Sequence, residues 1–86
     1  MTSSGSYSNL DAREGIVDGS TTIEFSWRPR RVIITNDSST KNLTFKLNSG
    51  EQAATLGPTE TVTLDIICRQ LIIDGSSVPY RIWGIG

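Results

Sequence analysis

The strongest constraint on the fold is a period of two in the apolar residues, which recurs along the chain and never gives way to a helical period. In the segment 43–47 (LTFKL), the apolar side chains of Leu43, Phe45 and Leu47 alternate with polar ones. The segments TTIEFSW, ETVTLDII and VPYRIWGIG alternate in the same way, and RRVIITND is a β-branched run. Because successive side chains of a strand point to opposite faces, each segment predicts a strand with one buried face. We therefore expect an all-β fold without helices.

Clusters of turn residues divide these segments into short strands. NDSS follows the β-branched run, NSG follows LTFKL, Gly57-Pro58 precedes ETVTL, and DGSS separates RQLIID from the last strand. About seven strands spaced roughly 8–12 residues apart are typical of a small antiparallel β-sandwich or barrel. The sequence predicts this architecture.

The first residues differ in composition from the rest. Residues 1–12 are rich in Ser, Gly and Asn and offer little to bury, which predicts a flexible arm. Residues 13–86 are predicted to form a single β-sandwich domain. The alternative for the arm is that it becomes ordered on a partner, with Tyr7 and Leu10 as the contacting side chains.

Residues suited to catalysis are few. The chain has no histidine, and its one cysteine, Cys68, follows two isoleucines, which predicts a buried and unreactive thiol. The acidic residues occur singly, and neither a phosphate-binding nor a metal-binding motif is present. The sequence therefore predicts no catalytic residues, no metal and no cofactor, and the chain is not expected to be an enzyme.

Charge and hydropathy weigh against two further classes. The formal net charge of -1 gives no field that would attract nucleic acid or an anionic membrane surface. The apolar runs are short, whereas a transmembrane helix needs about 20 apolar residues. The segment MTSSGSYSNL lacks the basic and then apolar pattern of a secretory signal. We therefore expect a protein that stays in the cytosol or is assembled there.

The segment WRPRR, residues 27–31, contains the one cluster of positive charge. Arg28, Arg30 and Arg31 flank Pro29, and guanidinium groups can bind carboxylates or phosphates with two parallel hydrogen bonds. The other interpretation is a solvated corner between strands, whose charges keep a sheet edge from aggregating. Trp27 is in phase with Ile23 and Phe25 and is therefore predicted to lie in the core.

The closing segment VPYRIWGIG carries large rings on both faces of its predicted strand. If Tyr80 and Ile82 face the core, then Arg81 and Trp83 face outward, and in the reversed register Tyr80 is the exposed ring. Trp, Tyr and Arg are enriched at the energetic centres of protein interfaces. Tyr80, Arg81 and Trp83 are therefore candidate partner-binding residues. The alternative is that a loop or the arm of the same subunit covers the outer face.

The order of these segments resembles a known group of proteins. RRVIITNDSSTKNLTFKLNSG, LGPTETVTL and VPYRIWGIG, within residues 28–86, resemble small β-sandwich proteins encoded by tailed bacteriophages and prophages of Gram-positive hosts. In those proteins a Pro-Gly-Glu turn is expected, and this chain has Pro58-Thr59-Glu60 instead.

The resemblance implies a structural protein of a virion: a capsid decoration protein, the base of a head fibre, or a small tail subunit. It also implies localisation in the virion after assembly in the bacterial cytoplasm, with other virion proteins as partners and a homo-oligomer such as a trimer. A chain of this length has a thin core, which independently favours association. Two alternatives stay open, namely a tail-tip or host-adsorption module that binds carbohydrate and a cytosolic regulatory or single-strand-binding β-domain.

Overall fold

The computed structural model describes residues 9–48, 50 and 52–86, and these residues form an antiparallel β structure. The six strands are β1 (Leu10–Glu24), β2 (Arg31–Asn36), β3 (Leu43–Leu47), β4 (Ala54–Leu56), β5 (Thr61–Leu64) and β6 (Gln70–Ile85). The all-β class is confirmed, with six strands. In the described part of the chain there is no helix long and apolar enough to cross a membrane.

Strand β6 is the centre of the structure. The strands follow the order β4-β3-β6-β2-β5, and β1 pairs with β6 along the whole length of both. The first part of β6 also pairs with β3 and its last part with β2, so the sheet divides into two halves. Half-sheet 1 consists of residues 10–17, residues 78–85, β2 and β5. Half-sheet 2 consists of residues 19–24, residues 70–75, β3 and β4.

The two long strands bend together between the half-sheets. In β1 the register shifts between Val17 and Gly19, and Gly19 has a φ of 100°. In β6 the bend contains Gly75 and Ser77, and Ser77 has a φ of 55°. The prediction that DGSS ends one strand and starts another is therefore wrong. The chain bends there, but because β1 bends at the matching position, the pairing continues on both sides.

The core lies between the half-sheets and draws residues from both. Its buried members are Val17, Ile23, Phe25, Val32, Ile34, Leu43, Phe45, Leu56, Cys68, Leu71, Ile73, Val78 and Ile82. The prediction of a buried cysteine is confirmed, and burial raises the pKa of the Cys68 thiol. The Cys68 Sγ donates a hydrogen bond to the carbonyl oxygen of Gln70, at 3.4 Å.

Two details differ from the sequence-based expectation. Residues 10–12 belong to β1 and not to an arm, because Leu10 pairs with Ile85 and the preceding Asn9 exchanges two backbone hydrogen bonds with Gly86. Residues 10–12 are therefore ordered by pairing with residues 83–85 of the same chain. Trp27 was expected in the core, but β1 ends at Glu24 and the ring is only half-buried. Tyr7 lies outside the described residues.

Candidate functional site

The outward side of half-sheet 1 carries apolar side chains in adjacent positions. Directly paired residues of antiparallel strands lie on the same face. Leu10 pairs with Ile85, Trp83 lies between Ala12 and Ile33, and Ile16 pairs with Pro79. We call these residues the outward apolar face: Leu10, Ala12, Ile16, Ile33, Pro79, Trp83 and Ile85. Leu10 is 65% exposed and Ile16 is 70% exposed, so the other described residues leave much of this surface open.

The outward side of half-sheet 2 is polar by comparison. Its paired positions are Ser20, Thr22, Thr44, Lys46, Thr55 and Asp74, with Ile72 as an apolar member. The same two strands, β1 and β6, run through both half-sheets. The difference between the two outward sides therefore lies in the side chains that each part of these strands carries. In an antiparallel sheet with one solvated side, the core-facing residues are normally apolar and the outward residues polar. Half-sheet 2 follows that rule, whereas the outward side of half-sheet 1 mixes the seven apolar residues with polar ones, namely Glu14, Arg31, Thr35, Thr61, Thr63 and Arg81.

Arg81 lies beside Trp83 on the outward side of half-sheet 1. The guanidinium carbon of Arg81 is 5.3 Å from the centroid of the Trp83 ring, within the range of a cation–π contact. Arg81 Nε and Nη2 donate to the two carboxylate oxygens of Asp37 at 2.8 and 2.9 Å. These hydrogen bonds raise the pKa of Arg81. The register that places Arg81 and Trp83 outward is the observed one.

Tyr80 lies on the other side of the strand. It packs half-buried against the core, opposite Gly15, and its hydroxyl oxygen lies 3.0 Å from the position that a Cβ on Gly15 would take. A side chain at position 15 would therefore press against the Tyr80 hydroxyl. Tyr80 therefore lies on the opposite face of the strand from Arg81 and Trp83, because adjacent positions of a strand face opposite ways.

The arginine cluster divides into one paired and two exposed residues. Arg31 forms a salt bridge with Asp65 on the outward side of half-sheet 1. Arg28 and Arg30 are exposed on the loop before β2, and Pro29 between them is buried. The Arg30 amide donates to the carbonyl oxygen of Ile85 at 2.9 Å, which holds this loop against the end of β6.

A pocket of about 500 Å³ opens beside this loop, where β1 ends and β6 begins. We call it the corner pocket, and its lining residues are Glu24, Phe25, Ser26, Trp27, Arg28, Arg69 and Gln70. Sequence reasoning identified Arg28 but not Arg69 or Glu24 as part of a site. The pairing of Glu24 with Gln70 brings the two segments together, and no local pattern in the sequence reports that register.

The features described so far are two surfaces suited to binding, the outward apolar face and the corner pocket. No group of three or more His, Cys, Asp or Glu residues that could hold a metal ion occurs among them. Three of the carboxylates are engaged by arginines, in the pairs Arg13–Asp11, Arg31–Asp65 and Arg81–Asp37.

Comparison with known proteins identifies a fold. No protein-family model matches the chain, and no curated protein matches it. The chain is similar to the crystal structure of a cupin-2 domain containing protein from Shewanella frigidimarina NCIMB 400, with 13% identity, coverage of 90% of this chain and 69% of the other, and a TM-score of 0.55. It is also similar to a de novo designed double-stranded β-helix, with 13% identity, coverage of 92% and 100%, and a TM-score of 0.53. These likenesses show a cupin-like, double-stranded β-helix fold and assign no activity.

Proposed function

We propose that this chain is a non-enzymatic structural subunit of a bacteriophage virion, a capsid decoration or minor head protein, and that it assembles through its outward apolar face. The resemblance of residues 28–86 to small virion proteins supports the virion setting. The assembly role depends mainly on one observation: the outward side of half-sheet 1 carries seven apolar residues among polar ones, whereas that of half-sheet 2 carries one.

The composition of this face suits a contact between proteins. Burial of apolar surface contributes about 25 cal/mol per Å² removed from water, and an aromatic ring near the centre contributes most per residue. Trp83 lies between Ala12 and Ile33 on the neighbouring strands β1 and β2. The row Glu14–Arg81–Thr35 crosses the face between Trp83 and the pair Ile16–Pro79. Trp and Arg are both enriched at protein interfaces. The partners proposed are other virion proteins or further copies of this chain, such as those of a trimer.

The assembly role can be tested with two variants that add the same charge to the same strand. Ile16→Asp places a carboxylate on the outward apolar face, and Thr22→Asp places one on the outward side of half-sheet 2. Both positions are exposed, so neither variant should unfold the domain. We expect sedimentation equilibrium to show an oligomer for the unmodified protein and for Thr22→Asp. For Ile16→Asp we expect association weakened by about tenfold or more, because a buried unpaired charge is costly.

Addition of each protein to phage particles assembled without it tests the virion setting. We expect the unmodified protein and Thr22→Asp to bind the particles and Ile16→Asp to bind poorly. A protein that is monomeric at every concentration and does not bind such particles would contradict the proposal.

A further inference from the structure

We propose that the corner pocket binds an acidic sugar residue, a hexuronate unit of an acidic polysaccharide. The pocket lies at the end of half-sheet 2, away from the centre of the outward apolar face, and the proposal does not rest on the assembly role. Its volume of about 500 Å³ falls within the range of about 300–1,000 Å³ that is common for small-molecule sites.

The charged side chains that line the corner pocket form no salt bridge within the described residues. Arg13, Arg31 and Arg81 each form a salt bridge with an aspartate. In the part of the chain that the structure describes, the side chains of Arg28 and Arg69 form no salt bridge, and neither does Glu24. Two arginines and one carboxylate leave one excess positive charge at the pocket. That excess matches a ligand with a single carboxylate, which a guanidinium group binds through two parallel hydrogen bonds.

Trp27 provides the aromatic surface of the pocket for a sugar ring. Its ring is half-buried, with the six-membered part against Gly86, whereas Phe25 is only 9% exposed and lies under Arg13. A pyranose has a face of C–H groups that can lie on an aromatic ring and a rim of hydroxyl groups that both donate and accept hydrogen bonds. Arginine only donates hydrogen bonds and an ionised carboxylate only accepts them, so Arg28, Arg69 and Glu24 together can satisfy such a rim.

A nucleotide is the other ligand that combines a flat ring with negative charge. Its phosphate carries more negative charge than a hexuronate, and the carboxylate of Glu24, which lines the same pocket, would oppose it. The formal net charge of -1 provides no long-range attraction that would compensate. These charges favour the hexuronate.

The two tryptophans of the chain allow binding to be assigned to one site. In Trp83→Phe the only tryptophan is Trp27, in the corner pocket, and in Trp27→Phe it is Trp83, on the outward apolar face. We expect titration with trigalacturonate to change the fluorescence of Trp83→Phe in a saturable way and to leave that of Trp27→Phe unchanged. Maltotriose, a neutral trisaccharide, should bind at least about tenfold more weakly, because it lacks the carboxylates that the arginines would bind.

Arginine variants in the Trp83→Phe protein provide the matched control. Replacing Arg28 and Arg69 with Gln should weaken trigalacturonate binding by about tenfold or more, because charge-assisted hydrogen bonds are lost. Arg30→Gln removes a charge from the same loop but outside the lining of the pocket, and it should leave binding unchanged. Equal loss in both variants, no saturable signal from Trp27, a signal from Trp83 alone, or tighter binding of guanosine monophosphate than of trigalacturonate would each overturn the proposal.

Discussion

Asn36 is a buried polar residue whose side chain joins three segments of the chain. Its Nδ2 donates to the carbonyl oxygens of Lys41, Leu56 and Gly57, at 2.8, 3.2 and 3.0 Å. Its Oδ1 accepts a hydrogen bond from the amide of Ser38 at 2.9 Å. The side chain thus binds backbone groups of which the Leu56 carbonyl and the Ser38 amide are buried, and leaving such a buried group without a partner costs about 1–3 kcal/mol.

Replacing Asn36 with Asp should destabilise the protein strongly. A carboxylate cannot donate to three carbonyl oxygens, and in its ionised form it would be a buried charge beside them. We expect the free energy of unfolding, measured by chemical denaturation, to fall by about 3 kcal/mol or more. Asn42→Asp makes the same change at an exposed residue of the loop that follows β2 and should alter stability by less than about 0.5 kcal/mol. Equal effects of the two variants would contradict this role.

Thr59 lies in a backbone conformation that suits glycine better. The turn at 57–60 closes with a hydrogen bond from the Glu60 amide to the Gly57 carbonyl oxygen at 3.2 Å, and Thr59 has a φ of 63°. A β-branched residue is strained there. We expect Thr59→Gly to raise the free energy of unfolding by about 1 kcal/mol, measured by thermal denaturation. Thr59→Ala retains a Cβ and should gain much less, which separates backbone strain from the loss of the hydroxyl.

Burial of Cys68 makes the stability of the fold depend on pH in the alkaline range. Burial raises the pKa of this thiol above its ordinary value of 9.0. As the pH rises above that value, the thiol of the unfolded chain ionises while the folded one stays protonated. The unfolded state is thereby favoured, by at most about 1.4 kcal/mol per pH unit. We expect the free energy of unfolding to fall more steeply above pH 9.0 for the unmodified protein than for Cys68→Ala. Parallel curves would contradict the assignment.

At the scale of the elements, the bend shared by β1 and β6 depends on two glycines for different reasons. Gly19 has a φ of 100° but open space around it, whereas a Cβ on Gly75 would lie 2.7 Å from a methyl carbon of Val78. Position 19 therefore requires a residue that tolerates a positive φ, and position 75 requires a residue without a Cβ.

Alanine at either glycine should destabilise the bend. We expect Gly19→Ala to lower the free energy of unfolding by about 1–3 kcal/mol through backbone strain. Gly75→Ala should lower it by a similar amount, about 1–3 kcal/mol, through overpacking. Shortening Val78 to Ala should partly rescue Gly75→Ala and should not rescue Gly19→Ala. Denaturation of the single and double variants measures this, and rescue of both or of neither would contradict the distinction.

The parts of the fold that sequence predicts are those governed by local pattern. Strands β2 and β3 begin and end close to where alternation and turn residues place them, because adjacent residues decide both. The start of β1 at Leu10 and the continuity of β6 depend on pairing between segments about 60–75 residues apart, which alternation does not report. The same applies to the sites. The outward position of Trp83 follows from alternation, but the meeting of Glu24 and Arg69 in the corner pocket follows from the β1–β6 register.

At the scale of the whole molecule, the first and last described residues are neighbours. Because Asn9 and Gly86 exchange both backbone hydrogen bonds, the next pair, Leu10 and Ile85, is a non-hydrogen-bonded pair with a Cα separation of about 4.5 Å. That separation suits a disulfide. We expect Leu10→Cys with Ile85→Cys, in a Cys68→Ala background, to form one and to raise the free energy of unfolding by about 2–4 kcal/mol. The reduced form of the same variant is the control, and no difference between the forms would contradict the pairing.

The central place of β6 also determines when the molecule can form. Both half-sheets require this strand, which follows every other described strand in the chain, and the earlier pairs β2–β5 and β3–β4 are short. Two-stranded ribbons of this kind are marginal in water. During synthesis the domain therefore cannot close until residues 70–85 have left the ribosome. Nascent copies from one message would then meet while their core-facing strands are still uncovered, and contacts between copies would compete with closure of the domain.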